Sequence, residues 1–600
     1  MAQAEQNTQI TPFSKLNLQA SSDAWQRLGA SMVALAMANA NRAQSKQAPL
    51  PFDQAKLFRA ASDVVRGAWS APVNVMKFQA QAAKSWTEFS LDVTRQMFGG
   101  KSQLDLKPAK TDRRFRDSEW DENLYFKTIK DSYLLASQQM IELANEVLSL
   151  DEVARTRLDF LVRQYLNAVA PTNFAFSNPE VMRKSVEEGG ANLIGGLANM
   201  ISDLASDDAW IRREAEDHFI LGEDIAATEG AVVYQNDIMQ LIQYAPSTKQ
   251  VYKRPLLYVP PLVNKYYLLD LKPASSLFKW LVDQGHTVFT ISWVNPEKVH
   301  RDFDFGDYVV DGVVEALDVV REITGEPKTD LFSFCMGGAI AAGALGYLQA
   351  KGKSKHVSSA TLMATLVDNS QLGEWGTFAT KEQVEAFNHH VEHEGLISGS
   401  ELKKLFSVVR ANDLIWSSVL DHYLLDRKAP ASDLLQWFND GSNIPARFSR
   451  TWSRDVLADN KLAKAGGLKV RGVPIDLKKV KTPIFNLALH DDHVAGWQAV
   501  FETQNAFGGV VDFVLGGSGH NAGIVNPPSR NKHGYWLNSD KALTAEDWFV
   551  DAERFEGSWW PVWQEWLTSG KRAQEQTQAR TPGNDKFKVI EAAPGSFVRR

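Results

Sequence analysis

Asp330–Tyr347 (DLFSFCMGGAIAAGALGY) passes from a short apolar stretch, through a turn of small residues, into a run that reads as helix. At the turn stands Cys335, the one cysteine in 600 residues. Its neighbours, Ser333-Phe334-Cys335-Met336-Gly337, give a small-x-nucleophile-x-small pattern. A strand–turn–helix elbow needs this pattern, because the nucleophile sits on a strained turn pressed against the adjoining strand and helix. The geometry exposes the sulfur and aims the next backbone N–H, that of Met336, at a substrate oxygen. It also sets the thiol at a helix N-terminus, whose partial positive charge favours thiolate. A lone cysteine in an apolar run is more often a small buried hydrophobe, so the reading depends on partners elsewhere in the chain.

Elbows of this kind take their partners in the order nucleophile, acid, histidine. Downstream, Ile484–Leu489 runs into His490-Asp491-Asp492-His493, and Val511–Leu515 runs into Gly516-Gly517-Ser518-Gly519-His520. The gaps of 157 and 28 residues leave room for an insertion and then one βα unit. Asp492 fits the spacing slightly better than Asp491. Any one of these residues could be surface polarity; three in the required order at three strand ends point to covalent acyl chemistry. A second oxyanion donor belongs on a loop after an earlier strand. Leu256–Val259 leads into Pro260-Pro261-Leu262-Val263-Asn264, where the prolines have no N–H, leaving Leu262 or Val263. His389-His390-Val391-Glu392-His393 matches the H-x-x-E-H zinc-protease pattern. The match is short and lies among solvated polar residues, so no metal is expected there.

These residues need a scaffold, and glycine usage marks where it begins. Residues 1–220 hold eight of the 39 glycines and are rich in Ala, Gln, Leu and Arg, with helix-period stretches such as Asp131–Leu150 and Val153–Ala168. From about Gly222, short apolar runs alternate with helical segments. The strand candidates are Leu256–Val259, Thr287–Trp293, Leu331–Phe334, Ala360–Leu366, Ile484–Leu489 and Val511–Leu515, near-continuously apolar as in a parallel sheet covered on both faces. Residues 375–470 break the rhythm with amphipathic, Trp-containing segments. The expectation is an α/β-hydrolase fold with a cap or lid insertion at about 375–470, preceded by a mainly α-helical N-terminal domain. The boundaries are 1–221 and 222–600, with a polar, mobile tail after about 570.

Composition closes off other classes. A net charge of −7 lacks the basic field of a nucleic-acid binder. One thiol allows no intramolecular disulfide and no thiolate zinc cluster. Gly29–Met37 imitates a signal-peptide core but lies behind 28 residues that include Glu5 and Asp23, and reads as amphipathic helix. Leu331–Leu348 is long enough to span a membrane, but four glycines and the elbow interrupt it. A soluble, cytoplasmic protein is expected.

Seven stretches then carry a resemblance: Glu229–Tyr234 (EGAVVY), Pro260–Leu271 (PPLVNKYYLLDL), Gln284–Trp293 (QGHTVFTISW), Phe334–Gly338 (FCMGG), Arg410–Trp416 (RANDLIW), Gly517–Pro528 (GSGHNAGIVNPP) and Gly557–Leu567 (GSWWPVWQEWL). Together they resemble class I polyhydroxyalkanoate synthases over most of the chain, including Asp112–Phe115 and Trp120 in the helical part. The resemblance implies polymerisation of (R)-3-hydroxyacyl-CoA, with short monomers, and release of CoA. It implies Cys335 as the acylated nucleophile, Asp492 as acid and His520 as base, with Asp492 acting on the incoming hydroxyl directly or through His520. Met336 and Leu262 or Val263 would bind the oxyanion. Arg410 would be either a contact for a CoA phosphate or a surface arginine. The implied partners are the growing polyester, the granule surface and a second copy of the chain, with no metal or other cofactor required. Ser333 departs from the family's usual Gly, Gly496 from a common Pro, and Leu262 from a Cys of some relatives. A polyester depolymerase or thioesterase on the same fold, or a granule-coating protein with a defunct site, are the competing readings.

Overall fold

The computed structural model describes residues 18–42, 54–109, 112–206, 210–211, 218–428, 430–539 and 544–600. The chain forms two compact units. One comprises Met1–Ala215 with Lys404–Pro430, the other Glu216–Lys403 with Ala431–Arg600. The stretch 375–470 is therefore divided: its middle belongs with the helical unit and its flanks with the second.

The helical unit contains α1 (Leu18–Arg42), α2 (Gln54–Ser70), α3 (Pro72–Met97), α4 (Leu124–Glu142), α5 (Glu152–Ala168) and α6 (Ala191–Ala205). Sequence signals set several starts. Pro72 occupies the first turn of α3, where its missing N–H costs nothing. Asn123 and Asp151 cap α4 and α5 by accepting the N–H groups of Tyr125 and Ala154. Gly29–Met37 lies within α1; most of the stretch preceding it lies outside the described residues. Phe115, Trp120, Phe126 and Leu134 form a core cluster. Beside it Lys130 is buried against Asp121 and Asp131.

In the second unit an eleven-stranded sheet is built from β1 (Gly230–Gln235), β2 (Met239–Tyr244), β3 (Leu256–Val259), β4 (Val288–Trp293), β5 (Thr329–Phe334), β6 (Val357–Met363), β7 (Ile484–Leu489), β8 (Val511–Gly516), β9 (Tyr535–Leu537), β10 (Glu553–Phe555) and β11 (Glu591–Ala592). Their order is β10-β9-β8-β7-β6-β5-β3-β4-β2-β1-β11. The six central strands, β4 through β8 in that order, are parallel. β3, β5 and β7 are buried along their whole length, as suits their mainly apolar sequences. Full burial of each Leu, Ile or Phe contributes about 1.5–3 kcal/mol.

Three expectations need correction. The sheet is mixed, because β2, β1 and β11 on one side and β9 and β10 on the other pair antiparallel. β1 and β2 form a hairpin whose turn is held by Asn236 Oδ1, which accepts from the N–H groups of Ile238 and Met239. The strand expected at Ala360–Leu366 begins and ends three residues earlier. Its opening serines look like loop, but Ser359 is buried and donates to Asp330, and Ala364, at φ 47°, ends the run. The tail after 570 is tied down. Gln576–Gln578 pairs with Gln250–Tyr252, β11 pairs with β1, and Phe597 and Val598 are buried. Its backbone supplies edge pairing, and polar side chains such as Arg580 and Asn584 bond to Glu326 and to Glu322 O, so composition alone misleads.

Candidate active site

The chain lays down β3, then β4 on one side of it and β5 on the other. Open α/β sheets bind ligands outside the carboxyl ends of the strands at such a reversal. The four loops carrying the sequence-selected residues all leave those ends: 260–264 after β3, Cys335 after β5, Asp492 after β7 and His520 after β8.

Cys335 sits between β5 and helix α7 (Met336–Ala350) at φ 53°, ψ −128°, a region non-glycine residues rarely occupy. This break also divides Leu331–Leu348, and among the described residues no helix is long and apolar enough to cross a membrane. The thiol is half-buried and packs against the hydrophobic clusters on both faces of the sheet. Its N–H donates to Met363 O (2.9 Å). Gly337 permits the turn: a Cβ there would lie 2.6 Å from Pro260 O and closer still to Val259 O. The start of α7 therefore rests directly on the end of β3, with the Met336 N–H among the unsatisfied donors of a helix N-terminus. Ser333, the departure from Gly, is buried, and its hydroxyl donates to Thr361 O (3.0 Å).

Asp492 and His520 are brought together, with Nδ1 of the imidazole 2.7 Å from Oδ2 of the carboxylate. The other carboxylate oxygen accepts from Val494 N (2.8 Å) and Ala495 N (2.9 Å). Asp491 instead points into solvent and pairs with His490. The two loops are joined by His490 N–H to Gly516 O (2.8 Å) and Asp491 N–H to Ser518 O (3.0 Å). Burial works against a charged His520, but the Asp492 carboxylate, then the Cys335 sulfur, outweigh it and push the imidazole up to about 10. Its ring lies on Phe334, 4.7 Å between centroids.

The loop after β3 is anchored by Trp293, whose indole N–H donates to Pro260 O (3.0 Å), and by Ser442 N–H to Val263 O (3.1 Å). Leu262 is buried and Val263 packs beside it. Arg410 lies in the other unit, paired with Asp413. Helix α8 (Lys381–Glu394) carries the H-x-x-E-H stretch with its groups on different partners: Glu392 pairs with Arg301 (3.4 Å), His393 with Glu394 (3.0 Å), and the intervening His390 with Glu401 (2.9 Å). Among the described residues no His/Cys/Asp/Glu group could hold a metal. Gly496 precedes α9 (Trp497–Glu502) at φ −49°, with nothing near the place of a Cβ.

The tryptophans around helix α10 (Trp560–Thr568) are core, not surface. Trp559, Trp560 and Trp563 are fully buried. The indoles of Trp559 and Trp560 donate to Gly523 O (2.9 Å) and Ile524 O (3.0 Å), in the loop that follows His520. They thus hold the loop that follows His520, a contact their spacing in sequence does not reveal.

Residues 111–281 match the family described as the N-terminus of poly-beta-hydroxybutyrate polymerase (PhaC), and residues 270–527 match the alpha/beta hydrolase fold family. The poly(3-hydroxyalkanoate) polymerase of Methylorubrum extorquens is 40% identical over 88% of this chain and 87% of its own. The poly(3-hydroxyalkanoate) polymerase subunits PhaC of Rhizobium etli and Cupriavidus necator are 38% and 37% identical, over 82% and 81% of this chain and 77% and 83% of theirs. With a helical N-terminal region, an α/β-hydrolase sheet and this extent of identity, the chain belongs to the poly(3-hydroxyalkanoate) polymerase family.

Proposed function

We propose that the protein polymerises (R)-3-hydroxyacyl-CoA, with short side chains, into polyhydroxyalkanoate through a thioester on Cys335. The observation that carries this reading is the buried Asp492–His520 pair beside a strained cysteine elbow, in a chain of the polymerase family.

With Nδ1 engaged by Asp492, Nε2 of His520 is the nitrogen left to exchange a proton with the thiol. His520 takes the Cys335 proton, the sulfur attacks the thioester carbonyl, and the oxyanion is met by the N–H of Met336 and one from Leu262 or Val263. The imidazolium, favoured up to about pH 10, then gives its proton to the departing CoA sulfur. Exchange of one thioester for another is close to thermoneutral, so loading is reversible. The 3-hydroxyl of the next unit, deprotonated by His520, converts the thioester to an ester, which is downhill and drives chain growth. Asp492 holds the imidazole in the required tautomer and stabilises its cation. Arg410 is not needed for any of these steps. Water must be kept out, since hydrolysis would release free acid; the stretches 375–403 and 431–470, which belong to the same unit as the site, are the segments we assign to covering it. The enzyme works in the cytoplasm at the granule surface, as a homodimer.

The test is incubation with 3-hydroxybutyryl-CoA, following CoA release and recovering the product. Polymer formed with CoA release, and lost in Cys335→Ala, is the expected result. Free 3-hydroxybutyrate with no polymer would make the protein a hydrolase on the same fold.

A further inference from the structure

Two residues that flank Ala364 hold the backbone of Cys335 from both sides. Met363 O accepts the Cys335 N–H at 2.9 Å. The Thr365 hydroxyl lies 3.2 Å from the Cys335 carbonyl oxygen and 3.2 Å from Met363 O, so its one hydrogen is shared between two carbonyls that both bear on Cys335. Thr365 is fully buried. Ala364 between them has φ 47°, an uncommon conformation for a residue with a Cβ. It is held there by its N–H to Leu487 O (2.7 Å). Gly338 leaves the room required, since a Cβ at that position would overlap the Thr365 hydroxyl. A buried hydroxyl could find partners in many ways; here the fold accepts strain at 364 and a bare glycine at 338 to bring it to the nucleophile's own carbonyl.

The consequence follows from peptide planarity. The carbonyl of Cys335 and the N–H of Met336 belong to one planar trans group and point in opposite directions. A hydrogen bond that fixes the carbonyl therefore fixes the direction of the N–H. We propose that Thr365 is a positioning residue for the oxyanion hole, acting through the 335–336 peptide. This rests on the assignment of the Met336 N–H as an oxyanion donor. The Thr365 hydroxyl touches neither substrate nor sulfur.

The experiment compares wild type, Thr365→Val, which keeps the shape and removes the hydroxyl, and Thr365→Ser, which restores it. Two reactions at Cys335 are measured on the intact protein. Acylation by 4-nitrophenyl butyrate, read as the burst of nitrophenol, passes through an oxyanion; alkylation by iodoacetamide does not. Removing an oxyanion donor outright costs roughly 10²–10³ in rate, so misaligning one predicts about a tenfold slower burst in Thr365→Val. Alkylation should stay within about twofold of wild type, and Thr365→Ser should recover most of the burst rate. An unchanged burst in Thr365→Val would overturn the inference. So would alkylation that slows with the burst, or Thr365→Ser as slow as Thr365→Val, since each would make the role structural. The polymerase reading is judged separately: a wild type that gives the burst but makes no polymer fails that reading and leaves the Thr365 result intact.

Discussion

At the scale of single residues, the charge on Asp492 and the proton on His520 are one system. The carboxylate is fully shielded from solvent and accepts two backbone N–H groups besides the imidazole, so an amide in its place would set one donor against others. Asp492→Asn should lower turnover by about a hundredfold or more, the span of general acid–base catalysis. Burial would then act on His520 without its counter-charge and bring its titration, followed by NMR, below about 10. The same pair makes stability depend on pH. A histidine raised from 6.5 to about 10 binds a proton in the folded chain that the unfolded chain has lost. Its contribution is complete below pH 6.5 and disappears as pH rises through about 10. Thermal melts across that window should show wild type losing stability relative to His520→Gln as pH rises; parallel curves would contradict the assignment. Gly496 is a simpler case. Its φ of −49° and open surroundings suit any residue, so Gly496→Ala should raise unfolding free energy by about 0.4–1 kcal/mol, measured by denaturant titration, with turnover unchanged.

At the scale of elements, the site depends on how closely α7 approaches β3 and β6. Gly337→Ala would drive a methyl into the backbone of Val259 and Pro260, where no flexible side chain can yield. Such overpacking costs about 1–3 kcal/mol, and it should displace the 260–264 loop and depress turnover far more than the loss of stability explains. Most of this architecture was legible in the sequence, because the parallel strands are buried on both faces and so read as mainly apolar runs. The order Cys335, Asp492, His520 was legible for the same reason, each residue following such a run. The hairpin β1–β2 falls outside the strand candidates, although Asn236-Asp237 between two apolar runs is a turn signal. Thr365 could not be singled out, since a threonine after a strand has no distinctive spacing; its importance comes from contact with Cys335, 30 residues away in the chain. Tryptophan suits half-wet positions as well as cores, so the spacing of Trp559–Trp566 is compatible with an apolar surface and with ordinary packing alike. The cluster's indole N–H groups are used up on the backbone behind His520, on the buried Thr361 hydroxyl and on the Asp512 carboxylate.

At the scale of the whole molecule, the carboxyl-terminal segment closes the edge of the sheet. β11 covers β1, and Gln240 binds Ser596 and the N–H of Phe597. Deleting residues 591–600 removes two buried side chains, Phe597 and Val598, and should cost on the order of 3–6 kcal/mol at about 1.5–3 each. It would also leave β1 as an open edge and promote aggregation; unchanged denaturation midpoint and solubility would show the tail to be dispensable. The single thiol makes the entire chain its own control. Iodoacetamide should add one carbamidomethyl group per chain, with activity falling in proportion. The most direct test of the account is the intact mass of the protein, followed by peptide mapping, after brief exposure to 3-hydroxybutyryl-CoA and an acid quench. A thioester on Cys335 predicts a hydroxylamine-labile 3-hydroxybutyryl adduct on the Cys335 peptide alone, absent from Cys335→Ala. An adduct on another residue, or CoA release by Cys335→Ala at the wild-type rate, would contradict it.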